Sequence, residues 1–130
     1  MKAVKITLAG RERYLAFTGE AMFQLQEQFG TAAELLEAVS KNAREGLDVT
    51  CKAAAIMAEQ GELARRHLGY DKSPIIDADA IRATISPSEI AALKLAIPAA
   101  MELGYGREVK EENDEVDLGL AELNAQKKTT

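Results

Sequence analysis

The apolar residues of this chain change their spacing once, and that change restricts the fold class. Over the first seventeen residues they alternate: Val4, Ile6 and Leu8 fall on one face of an extended segment, with polar residues between them. A period of two is typical of a half-buried strand. A turn over residues 9–12 then leads into a returning strand over 13–17. Every later apolar pattern has the period of a helix.

A two-stranded hairpin is only marginally stable alone, so it must lie on the helices. The predicted fold is therefore α+β and mainly α: an N-terminal β-hairpin packed on a bundle of about four to five helices. Capping boxes at Thr31 with Glu34 and at Ser86 with Glu89 mark two helix starts. Gly61 costs its helix about 1 kcal/mol relative to alanine, which leaves a break there open. The predicted helices span 18–29, 31–46, 48–68 (capped by Asp48), 77–84 and 86–103, the last bending at Pro98.

The length and composition indicate one domain. A chain of 130 residues is the size of a single ordinary domain. We predict a single globular domain over residues 1–106. Residues 107–130 are rich in acidic side chains and poor in large apolar ones. We therefore predict that they form an acidic, flexible C-terminal tail.

The charge balance and the rare residue types exclude several classes of function. The net charge of −5 argues against sequence-independent nucleic-acid binding, which depends on cations. One cysteine and one histidine exclude an internal disulfide and a zinc site built from these ligands. The longest nearly apolar run, residues 90–101, is shorter than the roughly 20 residues that a bilayer requires. The N-terminus lacks the apolar core of a signal peptide. We expect a cytosolic protein that binds neither nucleic acid nor a membrane.

Two side chains are candidates for chemistry, and both have a simpler interpretation. His67 lies in line with the apolar stripe of the third helix, which includes Ile56 and Leu63. We predict that it borders the core rather than acting as a general base, because no partner residue is evident. Cys51 is predicted to lie opposite that stripe as an unreactive thiol.

No other motif indicates catalysis, a cofactor or a metal. Arg65 and Arg66 form a basic pair too small for a nucleic-acid patch. No glycine pattern matches a phosphate-binding loop. The acidic residues of the tail lack the spacing of a calcium-binding EF-hand loop: Glu111, Glu112, Asp114, Glu115 and Asp117. The sequence therefore predicts a protein that is not an enzyme and carries no catalytic, cofactor-binding or metal-binding residues.

The last helix carries more apolar surface than one core contact requires. One stripe, with Ile90, Leu93 and Ile97, is a normal core face, and a second stripe runs beside it. Such a helix is either central to its domain or presents one face to another molecule. The residues predicted to bind a partner are the off-face aromatic of the first helix and four positions of the second stripe: Phe23, Ala92, Leu95, Ala99 and Leu103.

The order of these elements carries a family resemblance. The relevant segments are VKITLAGRERYLAFT, GEAMFQLQEQFG, LLEAV, the helix after GLD, and ISPSEIAALKLAIPAAMELGYG before an acidic tail. Over residues 1–106 this order resembles the tail assembly chaperones of long-tailed bacteriophages and prophages. The opening is also similar to a related small tail protein of gene transfer agents.

The resemblance implies a function without catalytic residues. Such a chaperone binds the long, hydrophobic, helical tape measure protein and keeps it soluble while tail tube subunits polymerise around it. The tail tube protein is then a further partner, the host cytoplasm is the expected location, and the mature virion is expected to lack the chaperone. Many members also have a longer frameshifted form, with which Gln126, Lys127 and Lys128 are compatible. The alternatives are a structural virion component, such as a tail-tube or connector accessory protein, and an enzyme subunit or regulator without its own active site.

Overall fold

The structure is a computed structural model, and it describes residues 1–107 and 115–118. It confirms the predicted α+β, mainly α fold, with five helices and a small antiparallel sheet among the described residues. The elements in chain order are β1 Lys2–Leu8, β2 Arg11–Leu15, α1 Gly19–Phe29, α2 Ala32–Ser40, α3 Arg44–His67, α4 Ala78–Thr84, α5 Pro87–Gly104 and β3 Glu115–Asp117.

The predicted hairpin forms, with a tighter turn than expected. Strands β1 and β2 pair antiparallel, and Leu8 lies opposite Arg11, so only Ala9 and Gly10 connect them. Both connecting residues have positive φ angles, 52° at Ala9 and 75° at Gly10. Two-residue loops of this kind match the right-handed twist of the strands.

The sheet has a third strand, which the sequence pattern does not predict. Strand β3 pairs antiparallel with β1, which gives the order β2-β1-β3. Leu118, which follows β3, is buried beside Ala3 and Ala16, and its carbonyl accepts a hydrogen bond of 2.7 Å from the Tyr70 hydroxyl. The prediction of a flexible tail over 107–130 is therefore wrong for residues 115–118. The rest of that tail after Arg107, including Glu111, Glu112 and Asp114, lies outside the described residues.

Helix α3 is the centre of the domain and packs against β2 and all four other helices. It is continuous, so the break considered at Gly61 does not occur. A Cβ atom at Gly61 would overlap the Tyr14 carbonyl oxygen, which shows how closely β2 approaches. The Ala16 amide also donates to the Met57 carbonyl oxygen at 3.1 Å. The absence of a side chain at Gly61 thus allows the backbone of β2 to lie directly against the backbone of α3.

Side-chain caps are present at four of the five described helices, including the predicted capping boxes at Thr31 and Ser86. The side chains of Thr18, Thr31, Asp77 and Ser86 each accept a hydrogen bond from a first-turn amide. Helix α3 differs, since it begins at Arg44 after Ala43, which makes no side-chain cap. Asp48 instead lies one turn inside α3, where it pairs with Lys52 at 3.0 Å and with Arg82 of α4. It therefore joins two helices rather than starting one.

The packing of β3 leads to a testable prediction. We expect Leu118→Ala to lower the free energy of unfolding by about 2–3 kcal/mol, because a buried leucine side chain is removed. Truncation after Gly106 should cost at least as much and lower the melting temperature by about 8 °C or more. Thermal denaturation followed by circular dichroism measures both. A truncated chain that melts within about 2 °C of the full chain would show that β3 does not belong to the domain.

Candidate partner-binding surface

Two large apolar side chains stand out on the surface of the described residues. Leu95 on α5 is 71% exposed and Phe23 on α1 is 59% exposed, while the remaining large apolar side chains on the surface are 45% exposed or less. Phe23 was predicted to lie off the core face of its helix, and the structure confirms this. A solvent-facing leucine and phenylalanine are the natural starting points for a binding surface.

The second stripe of α5 is divided between surface and core. Ala92 and Leu95, in the first half of the helix, are exposed, whereas Ala99 and Leu103 are buried. The prediction that all four line one partner groove is therefore wrong for Ala99 and Leu103. The cause is close packing at the end of α5, where a Cβ atom at Gly104 would lie 2.5 Å from the Phe17 carbonyl oxygen. The central-helix interpretation holds for the second half of α5 only.

An open cleft lies beside the exposed half of α5. Its volume is about 500 Å³, and Leu47 and Ile90 supply apolar side chains to its lining. The other lining residues are Lys41, Asn42, Ala43, Arg44 and Lys94. A Cβ atom at Gly46 would overlap the Lys41 carbonyl oxygen, so this glycine allows the α2–α3 connection to approach α3 closely. We call the cleft together with Ala92 and Leu95 the α5 surface.

The side chains that line the cleft include three cations and no carboxylate, although the chain as a whole is acidic. The Lys94 ammonium group donates to the Asn42 side-chain oxygen at 2.6 Å and to the Lys41 carbonyl oxygen at 3.3 Å. Both acceptors are uncharged. Among the described residues, no carboxylate forms an ion pair with Lys41, Arg44 or Lys94. Three cations therefore border an apolar cleft without a neutralising partner there.

Phe23 belongs to a different part of the surface. It lies on α1, whose neighbouring residues Met22 and Gln26 line a shallow depression together with Met101 and Tyr105. The Tyr105 ring lies 5.3 Å from that of Phe17. The five predicted partner residues thus comprise one exposed pair on α5, one isolated aromatic on α1 and two core residues.

Cys51 and His67, the two candidates for chemistry, do not lie where the sequence predicts. Cys51 is fully buried, not opposite the core as predicted, and burial raises the pKa of its thiol. His67 is exposed rather than at the border of the core. Within the described ranges, no group of three or more histidine, cysteine or acidic side chains is placed to hold a metal ion.

A buried polar cluster that was not predicted from the sequence lies near the carboxyl end of α3. The buried Glu62 carboxylate pairs with Arg65 at 2.5 Å and Arg66 at 2.8 Å, and accepts from the Ser73 amide at 2.7 Å. The Arg65 guanidinium also lies 5.1 Å from the Tyr70 ring centre. The spacing of three and four residues between Glu62 and the arginines was the available signal. These contacts fix the loop after α3.

A smaller cavity of about 180 Å³ borders this cluster, where Arg13 meets the loop. The Arg13 side chain donates to the carbonyl oxygens of Leu8, at 3.1 Å, and Pro74, at 2.8 Å. Burial lowers the pKa of its guanidinium, and the nearby Arg11 lowers it further. Arg13 thus connects β1 to the loop after α3, which is a structural role.

Comparison of the chain with protein-family models, with curated proteins and with solved structures finds no match. Across residues 1–107 and 115–118, no helix has both the length and the apolar character needed to span a membrane.

Proposed function

We propose that this chain is a tail assembly chaperone, which binds the hydrophobic, helical tape measure protein and keeps it soluble in the host cytoplasm. The proposal rests on the order of elements in the sequence, which resembles that family, and on one structural observation that carries it. That observation is the exposure of Leu95, one turn from the exposed Ala92, on an otherwise apolar helix that also lines an apolar cleft through Ile90. In this proposal the chain is not an enzyme and leaves before the virion matures.

The physical basis is the reversible covering of an apolar stripe. A hydrophobic helix aggregates when its stripe stays in water, and a groove on another protein can shield it. Leu95 offers an anchor whose burial contributes about 1.5–3 kcal/mol. The small side chain of Ala92 permits close approach of a partner backbone. Phe23, on α1, is a second anchor for a partner long enough to reach it.

We expect Leu95→Lys to remain folded and monodisperse but to lose the ability to keep a co-expressed tape measure protein soluble. An exposed position tolerates a charge within about 0.5 kcal/mol. In the complex, the ammonium group at position 95 would lie against the apolar stripe of the partner, where burial of the charge is unfavourable. The measurement is the soluble fraction of the tape measure protein, with circular dichroism of the purified variant.

The matched control is Leu93→Lys, two residues away on the same helix. Leu93 is fully buried, so this variant should unfold the domain itself. If Leu95→Lys keeps the tape measure protein soluble as well as the wild type does, the α5 surface is not the binding site. Recovery of the chain in purified particles at fixed stoichiometry would instead favour a structural virion component.

A further inference from the structure

We infer that the α5 surface selects a partner helix that carries acidic residues beside its apolar stripe. This inference deepens the proposed function and rests on it for the identity of the natural partner. It follows from the combination of an apolar cleft with Lys41, Arg44 and Lys94, none of which is paired with a carboxylate among the described residues.

The cations are placed to act together with the apolar contacts. Lys94 lies one turn from Ile90, so both side chains line the cleft, and it adjoins the anchor Leu95 in the sequence of α5. Its hydrogen bonds to Asn42 and Lys41 hold the ammonium group at the edge of the cleft. A helix that places an apolar side chain against Leu47 and Ile90 therefore brings its flanking positions to the cationic border.

Because the whole chain is acidic, the cations of the α5 surface can direct an acidic partner to this surface. A net charge of −5 repels an acidic partner at long range, and only a local excess of cations attracts one. Some cations elsewhere on the surface, such as Arg82 and Arg107, are paired with carboxylates. An acidic flank would thus be recognised at the α5 surface by charge complementarity.

The test uses two synthetic amphipathic helices of about 20 residues, a length at which helices form in water. Both carry the same leucine stripe, flanked by glutamate in one peptide and by lysine in the other. We expect the full chain to bind the glutamate peptide about tenfold more tightly at about 50 mM salt. The difference should shrink at about 500 mM salt, where exposed charges are screened.

Charge variants test whether the preference for the glutamate peptide arises from the cations of the cleft. Lys41→Glu with Arg44→Glu should abolish it, and the milder Lys41→Gln with Arg44→Gln should reduce it. The matched control is Arg11→Glu with Lys72→Glu, which changes the net charge equally at exposed positions outside the cleft. This control should keep the preference within about twofold of the wild type.

Several results would overturn the inference: equal affinity for the two peptides, preference for the lysine peptide, binding of neither, or equal loss in the control variant. Failure of the chaperone proposal is detected separately, in the co-expression experiment with Leu95→Lys. The peptides report only what the α5 surface recognises, whichever protein supplies the natural helix.

Discussion

Replacing Gly61 by alanine or valine is expected to destabilise the domain by at least about 3 kcal/mol, a large fraction of the 5–15 kcal/mol typical of a domain. A Cβ atom at this position would overlap the Tyr14 carbonyl oxygen and lie 2.7 Å from the carbonyl carbon. These are backbone atoms of β2, so no side-chain rotation relieves the overlap. Strand and helix must move apart. Urea denaturation followed by circular dichroism measures the loss.

Gly19→Ala is the matched control, since Gly19 is also a helical glycine and a Cβ atom there would meet nothing within 4 Å. We expect it to be neutral or slightly stabilising, because alanine favours the helix more than glycine does. If Gly61→Ala were as stable as Gly19→Ala, then β2 would not pack on α3 in the way the structure describes.

The helix caps and the hairpin could be predicted because their signals are local. A threonine or serine with a glutamate three residues later satisfies the first amides of a helix without help from the rest of the fold. Both capping boxes formed as predicted, at Thr31 and at Ser86. The prediction failed for Asp48, whose carboxylate pairs with Arg82 of another helix. Such a long-range partner is invisible to a local pattern.

The buried face of α3 was predicted wrongly because the pattern followed large aliphatic residues. The structure instead buries small ones, including Ala53, Ala54 and Gly61, since these permit close contact with the sheet and the other helices. That choice of face explains why Cys51 is buried and His67 exposed. Hydrophobic periodicity identifies the stripe of large apolar residues on a helix. The side of α3 that packs is instead the one whose small residues allow the backbones of neighbouring elements to come close.

The third strand and the division of α5 both depend on contacts between distant parts of the chain. Strand β3 has three residues in an acidic stretch, and its partner β1 is more than 100 positions earlier. Helix α5 is apolar nearly all round, so its sequence cannot distinguish the exposed Leu95 from the buried Leu103. Only the positions of the sheet and α3 decide which half is covered. The sequence therefore predicted that α5 carries the candidate surface, but it could not predict which residues of α5 are exposed.

Replacing Glu62 by alanine is expected to destabilise the domain by about 3–5 kcal/mol, because it leaves the arginines that it neutralises without their partner. The Arg65 side chain is only 13% exposed. The Ser73 amide also loses its acceptor, which releases the loop after α3. The free energy of unfolding from urea titration measures the effect.

Two further variants separate the charge of Glu62 from its shape and position. Glu62→Gln keeps an oxygen acceptor for the Ser73 amide but loses the ion pairs, so its loss should be intermediate. Glu59→Ala removes a half-exposed carboxylate from the same helix and should cost no more than about 0.5 kcal/mol. If Glu62→Ala and Glu59→Ala lowered the free energy of unfolding equally, the polar cluster around Glu62 would not stabilise the domain as proposed. The Tyr14 and Tyr70 rings, 5.5 and 5.1 Å from the Arg65 guanidinium, would then hold that cation without the carboxylate.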